Sequence, residues 1–180
     1  MRTEILELAR NFVRLAVLSD EIEEVARCCK NAIAAGGKIM FCGNGGSAAD
    51  SQHLAAELVG RFKRERAALP AIALTVDTSV LTSVGNDCGF EEIFARQVEA
   101  LGAKGDVLIG LSTSGNSANV LKAFAAAKAR GVTTIALTGE SGGQCKSITD
   151  HCLRVPASTS DHIQEMHIAI GHLICSYIES

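Results

Sequence analysis

Lys38-Ile39-Met40-Phe41-Cys42, followed directly by Gly43-Asn44-Gly45-Gly46-Ser47, is the stretch that decides the fold. The first five residues are a short apolar run of the kind that forms a buried strand. The next five are small, so the backbone turns sharply, and the sequence predicts a helix from about Ser47. A strand that turns into a helix in this way presents unpaired N–H groups and the positive end of a helix dipole to an anion, typically a phosphate. Gly43-x-Gly45-x-x-Ala48 also fits the dinucleotide fingerprint in its alanine form. That fold, however, places a ribose-binding acid about 20 residues further on. Here that distance falls in the basic stretch Arg61-Phe62-Lys63-Arg64-Glu65-Arg66, and the first acid after the second predicted strand is Asp77. A simple phosphate cradle fits better than a nucleotide site.

Further along the predicted helix stand His53 and Glu57. Four residues apart, they share one helix face. Such a pair is often only surface decoration. Here it lies on an Ala-rich helix (Ala48, Ala49, Ala55, Ala56) suited to close packing, one or two turns from the cradle. A phosphate cradle beside a His/Glu pair points to proton chemistry on a small phosphorylated molecule.

Outward from this corner, strand and helix signals alternate. Apolar spacing predicts a helix over 3–18, with Ser19-Asp20 as a break and cap for a second helix ending near Gly36-Gly37. Strands are expected at 38–42, 71–76, 107–111, 132–137 and 152–155, and helices at 47–62, 78–86, 91–101, 116–130 and 160–177. This alternation predicts an α/β three-layer sandwich, a flavodoxin-like five-stranded parallel sheet whose ligands sit at the carboxyl ends of the strands. The chain reads as one domain, 1–180. Within it the extra N-terminal helices of residues 1–36 pack against a partner subunit or the helical layer, and residues 37–180 form the core.

The third predicted strand runs into a second corner, Leu111-Ser112-Thr113-Ser114-Gly115-Asn116-Ser117. A helix cap needs one such residue. Four hydroxyls around a glycine instead suit phosphate oxygens, to which they donate without adding charge. Asn86-Asp87, just before Gly89, reads either as a turn or as a contact to sugar hydroxyls. The last helix carries Gln164, Glu165, His167 and His172 among apolar residues. Buried polar groups need partners, which a metal, a polyol substrate or a subunit interface would supply.

Composition sets the outer bounds. The 180 residues suffice for one core, 47% are hydrophobic and only 4% aromatic, and the formal net charge is -3, which gives no reason to expect nucleic acid. The seven cysteines show no C-x-x-C spacing, and buried free thiols in a reducing compartment explain them better than disulfides. Charges among the first apolar residues argue against a signal peptide, and no run is long enough to span a bilayer. The expectation is a cytoplasmic protein with no membrane partner.

Taken together, these residues resemble the sugar isomerase (SIS) domain family and, within it, the phosphoheptose isomerases. The resemblance is carried by Cys42 to Ser47, Gln52-His53 through Glu57, Val84-Gly85-Asn86-Asp87, Ser112 to Ser117, and Arg154-Val155-Pro156 followed by Ile163-Gln164-Glu165-Met166-His167. It implies an aldose–ketose isomerase that converts D-sedoheptulose 7-phosphate to D-glycero-D-manno-heptose 7-phosphate through an enediolate, the first step toward ADP-heptose and the heptose of lipopolysaccharide. It implies a cytoplasmic homotetramer with shared active sites. It also implies one Zn2+ per subunit at positions matching His53, Glu57, Gln164 and His172, with Glu57 and His172 catalytic. Substrate contacts map onto Asn44, Gly45, Gly46, Ser47, Glu57, Asn86, Asp87, Ser112, Thr113, Ser114, Ser117 and Gln164. Where many relatives carry Arg before the Ile-Gln-Glu run, this chain has His162. The alternatives are a non-catalytic SIS adaptor that binds the replication initiator, or an SIS enzyme acting on another sugar phosphate. The adaptors lack the acid matching Glu57 and the histidine matching His172. Gln164 and His172 are eight residues apart, about 12 Å along a straight helix and roughly 80° around it, so side chains from more than one subunit are expected to complete the site.

Overall fold

In the computed structural model, which describes residues 1–180, the apolar runs become the strands of one parallel sheet. These are β1 (Ile39–Gly43), β2 (Ala71–Ala73), β3 (Val107–Leu111), β4 (Thr133–Thr138) and β5 (His151–Arg154), in the spatial order β2-β1-β3-β4-β5. That is the flavodoxin-like order, whose chain reversal between β1 and β3 opens a crevice at the carboxyl edge. β1 and β3 pair from Ile39↔Val107 to Gly43↔Leu111, so the two corners after them emerge side by side. Every residue of both strands is buried, because helices cover both faces. Side chains alternate between those faces: Ile39, Phe41, Val107 and Ile109 join one core, and Met40, Cys42 and Leu108 the other.

The helices are α1 (Arg2–Leu15), α2 (Ser19–Ala34), α3 (Gly46–Val59), α4 (Thr78–Asp87), α5 (Ala95–Leu101), α6 (Ala118–Ala129), α7 (Cys145–Ile148) and α8 (Ser160–Ile178). On one face α2, α3 and α8 bury Val25, Leu54, Leu58, Met166 and Ile170; on the other, α5 and α6 bury Val98, Val120 and Phe124. Each such side chain contributes roughly 1.5–3 kcal/mol when taken from water.

Two of these helices, α3 and α8, leave the carboxyl edge side by side and run in the same direction. Gly46 lies against Gln164, Leu54 against Gly171, and Phe62, just past α3, reaches Glu179. Gly171 makes the approach possible, since a Cβ there would sit 3.0 Å from Leu54 Cγ.

Several element ends differ from the sequence reading. Ser19 does not cap α2; a 3-10 turn over Ala16–Leu18 joins the first two helices, and the Ser19 hydroxyl donates to the Ala16 carbonyl at 2.6 Å. α3 ends at Val59 rather than Phe62, because Gly60 comes next and Arg66 takes the last carbonyls. β2 stops at Ala73 because its partner β1 pairs only to Phe41. The 91–101 helix is a 3-10 turn over Phe90–Glu92 and then α5. α7 is too short for its periodicity to register. α1 leaves Ile5, Leu6, Phe12 and Val13 exposed, and an apolar groove of about 620 Å³ runs between α1, α2 and α8 past Phe12, Leu15, Ile22 and His172.

Candidate active site at the carboxyl edge

Both corners lie at the carboxyl edge of the sheet. After β1 the chain passes Asn44 and Gly45, whose φ of 58° favours glycine, and enters α3 at Gly46. No side chain caps α3, nor does one cap α6 after Ser117. Ser47, Ala48 and Val120 donate their amides to the carbonyls of Asn44, Gly45 and Ser117, so the amides before them, Gly46 in α3 and Ala118 and Asn119 in α6, are left for a ligand or water. The corners are tied together: Asn44 Nδ2 donates to Asn119 Oδ1 at 2.9 Å, and Asn119 Nδ2 returns a bond to Asn44 Oδ1 at 2.8 Å. Ser112 and Ser117 hydroxyls lie 3.0 Å apart. A cleft of about 420 Å³ opens here, lined by Asn44, Gly89, Phe90, Glu91, Ser117, Ala118 and Asn119. No cation lines it; Lys122, on the outer side of α6, is held by Glu91 and Glu92.

The other predicted cradle residues fall in different places. Ser47 is buried beneath Gly43, with its amide donating to the Asn44 carbonyl at 3.0 Å and its carbonyl accepting the Ser51 hydroxyl at 2.8 Å. The Thr113 carbonyl accepts the Gly139 amide at 3.0 Å, and Ser114 Oγ accepts the Asn116 amide at 3.1 Å, so both brace the second loop. Asn86 and Asp87 are exposed at the end of α4, where the Asn86 amide donates to Asp87 at 2.7 Å. They stand immediately before the Gly89–Glu91 wall of the cleft. Gln164 projects over Gly46, where an added Cβ would lie 2.6 Å from its Oε1, so it sits at the mouth of the first corner.

One to three turns down α3, the second half of the site assembles. His53 Nε2 is 2.9 Å from His172 Nε2 and 3.3 Å from Glu57 Oε1. One side-chain donor atom from each of the three residues lies within 4.8 Å of the others. A neutral imidazole nitrogen carrying one proton bridges one such contact, not two, so this convergence of lone pairs is better satisfied by a cation. Two imidazoles and a carboxylate are also a known catalytic zinc donor set, which leaves a further position open. The residues present therefore fit a metal ion. Gln164 lies against Gly46, two turns of α8 from His172, while the other three expected ligands meet.

Around the trio, the His172 ring is held edge-on by His53, with centroids 5.1 Å apart, and face-on by Phe62, at 5.4 Å and 18°. Half-buried Asp50 lies one turn before His53; burial pushes its carboxyl above the usual range, opposed by His53 and His172. His167 turns the other way into the core. It is fully buried, and burial, opposed by the Thr138 backbone, pushes its imidazole down to about 4, so it stays neutral. His162 pairs with Glu165 at 2.9 Å.

The sequence reading missed Asn119 and Phe62. Asn119 stands two residues past Ser117, and its polar side chain beside the second corner is the available signal. Phe62 was read as the last residue of α3.

Comparison with known proteins agrees with this geometry. The family model described as "SIS domain" matches residues 4–139. The phosphoheptose isomerase of Akkermansia muciniphila is 58% identical over 99% of this chain and 95% of its own length. Among solved structures, the phosphoheptose isomerase of Neisseria gonorrhoeae superposes with a TM-score of 0.94 at 44% identity, covering 99% of this chain and 96% of that one. That of Francisella tularensis gives 0.95 at 39% identity over 98% and 95%. Likeness of this extent, in sequence and backbone alike, means that the chain belongs to the SIS domain family and, within it, to the phosphoheptose isomerases.

Proposed function

We propose that this protein interconverts D-sedoheptulose 7-phosphate and D-glycero-D-manno-heptose 7-phosphate, an aldose–ketose isomerisation through an enediolate. The observation that carries the reading is the meeting of His53, Glu57 and His172 on two helices that both start at the carboxyl edge of the sheet. An acid and an imidazole at one point are what a 1,2-proton shift requires; an adaptor has no use for them.

The phosphate is gripped by the uncapped amides of α3 and α6 and by the Ser112, Thr113, Ser114 and Ser117 segment, with Asn44, Gly45, Gly46 and Ser47 forming the first corner. Asn86, Asp87 and Gln164 take sugar hydroxyls. Glu57 removes the carbon-bound proton, and His172 handles the opposite transfer or the hydroxyl proton. Glu57 faces His53 through Oε1, which leaves Oε2 for the proton. His53, Glu57 and His172, with Gln164, would hold one Zn2+ per subunit. When bound, the metal supplies Lewis-acid polarisation of the carbonyl and hydroxyl oxygens.

Of the trio, His172 lines the apolar groove that α1 leaves uncovered, while Gln164 stands about 12 Å back along the axis of α8. A second copy docked there would complete a shared active site, in a homotetramer in the cytoplasm. The product would feed ADP-heptose and lipopolysaccharide synthesis. Metal analysis combined with turnover of sedoheptulose 7-phosphate, before and after chelation, tests the reading. Turnover that falls on chelation and returns with zinc is expected. No turnover with any metal would favour the adaptor; turnover of an amino-sugar phosphate instead would favour another SIS enzyme.

A further inference from the structure

The far ends of α3 and α8 are joined by a carboxylate that the proton transfers do not use. Glu179 comes directly after α8, and its side chain is 2% exposed. Its Oε1 accepts the Phe62 amide at 2.8 Å and Arg66 Nε at 2.9 Å, and its Oε2 accepts the Lys63 amide at 2.8 Å and the Arg64 amide at 3.1 Å. A carboxylate has about four lone-pair sites, and here each has a donor. Arg66 turns its remaining N–H groups on the end of α3. Nη2 donates to the Glu57 carbonyl at 2.8 Å, and Nη1 to those of Leu58 at 2.9 Å and Ala67 at 3.0 Å. Helix ends leave their last carbonyls unpaired, and a cation is favoured there.

What makes this more than a brace is Phe62. Its amide is pinned to Glu179, while its ring lies flat on His172, two turns back along α8. Lys63 Nζ also lies over the Phe62 ring, 4.9 Å from its centroid. The χ2 torsion of a histidine is broad and easily turned. A ring stacked on one face and met edge-on by His53 is not free to turn, and its Nε2 is aimed at the His53–Glu57 pair.

We propose that Glu179, Arg66 and Phe62 form a positioning latch for the isomerisation. Arg66 fixes the helix end that carries Glu57, and Glu179 fixes Phe62 so that it orients His172. The latch rests on the assignment of Glu57 and His172 as the reacting pair. Misplacing a reacting group by about 1 Å can cost on the order of 10²-fold in rate, so a contact remote from the chemistry can govern turnover.

The test uses Glu179→Gln, Phe62→Leu and their combination in the intact oligomer. Loss of an outer partner of this kind typically costs roughly 10–100-fold in activity. That loss is expected in kcat for each single variant, with KM unchanged. The double variant should lose no more than the worse single one, since both act through the same ring. The His172 ring resonance in the spectrum of histidine-labelled protein should move in Glu179→Gln toward its position in Phe62→Leu. Asp106→Asn, a carboxylate at the same end of the molecule with no path to His172, serves as the control that loses stability but not kcat. Full kcat with a lowered Tm, or an unmoved His172 resonance, would reduce the latch to a structural brace. If Glu179→Gln fails to fold, Phe62→Leu keeps the carboxylate and decides alone: unchanged kcat overturns the proposal. Wild-type protein without turnover refutes the isomerase reading instead, and the resonance of His172 then decides the latch by itself.

Discussion

The two ends of the parallel sheet treat the same backbone groups in opposite ways. At the amino edge, where the helices finish, amides are met by the chain's own carboxylates. Asp106 accepts the Lys38 amide at 2.9 Å and the Ala103 amide at 2.8 Å, and Asp150 accepts the Thr134 amide at 2.8 Å and its hydroxyl at 2.7 Å. Glu179 closes the ends of α3 and α8 in the same manner. At the carboxyl edge, α3 and α6 start without a side-chain cap and the hydroxyls pair with one another. α4 shows that a cap was available to the fold, since Asp77 accepts the Val80 amide at 3.0 Å. One end therefore carries its anions permanently, and the other leaves donors for an anion brought in by a ligand.

The strongest way to break this comparison is to remove the proposed base, which α3 carries from the open edge toward the closed one, while leaving both ends folded. A positioned base is worth roughly 10²–10⁴-fold in rate. Glu57→Gln should therefore lower kcat by that factor, with KM little changed and the far-ultraviolet spectrum intact. Steady-state turnover of sedoheptulose 7-phosphate measures it; near-normal kcat would remove Glu57 from the proton transfer and with it the link between the open edge and catalysis.

A second change would convert the open end toward the closed one. Asn119→Asp puts a fixed carboxylate in the cleft beside Asn44, where Nδ2 can still donate to it but the second bond of the amide pair is lost. Two like charges about 8 Å apart at an effective dielectric near 20 repel by roughly 2 kcal/mol. KM for the sugar phosphate should rise on the order of tenfold or more with kcat largely kept, and Asn119→Ala should do less. An unchanged KM in Asn119→Asp would mean that the phosphate does not sit at this corner.

Much of this layout was legible in the sequence, and the reason lies in how local each signal is. β1 and β3 are short, wholly apolar and succeeded by glycine or hydroxyl corners, so strand, turn and helix start are all written within about ten residues of one another. His53 and Glu57 are one helical turn apart, and their shared face follows from the helix period alone. His172 joins them from 119 residues away in sequence; its place in the trio came from the family resemblance and, in the structure, from the parallel packing of α8 on α3 over Gly171. Asn119 and Glu179 have partners 75 and 117 residues distant, and no period or spacing points to either contact. The mistaken ends have local causes that only the tertiary structure reveals. α3 stops before Phe62 because Arg66 captures its carbonyls, and Phe62 is thereby released to cover His172.

The closed end gives the smallest effect on turnover and the sharpest sign. Burial pushes the Asp106 carboxyl up, but the Lys38 ammonium and amide and the Ala103 amide outweigh it and hold it below the usual range. Burial acts likewise on Asp150, outweighed by the Thr134 amide and hydroxyl and by Lys128, and on Glu179, where the Phe62, Lys63 and Arg64 amides and Arg66 bring the carboxyl down to about 2. A carboxyl held low in the folded state binds protons less readily than in the unfolded chain. It therefore stabilises above the ordinary carboxylate value of about 4, and that contribution is lost as the pH falls through the folded value. Asp106→Asn leaves at least one buried donor without its partner, at a cost of about 1–3 kcal/mol. At neutral pH its Tm should fall while kcat and KM stay at wild-type values. The gap in Tm between variant and wild type should narrow as the pH is lowered from about 5 toward 2, because wild type then loses by protonation what the variant lacks already. A gap that held constant down to pH 2 would show that Asp106 acts there by packing alone, and that the closed end owes nothing to its fixed charge.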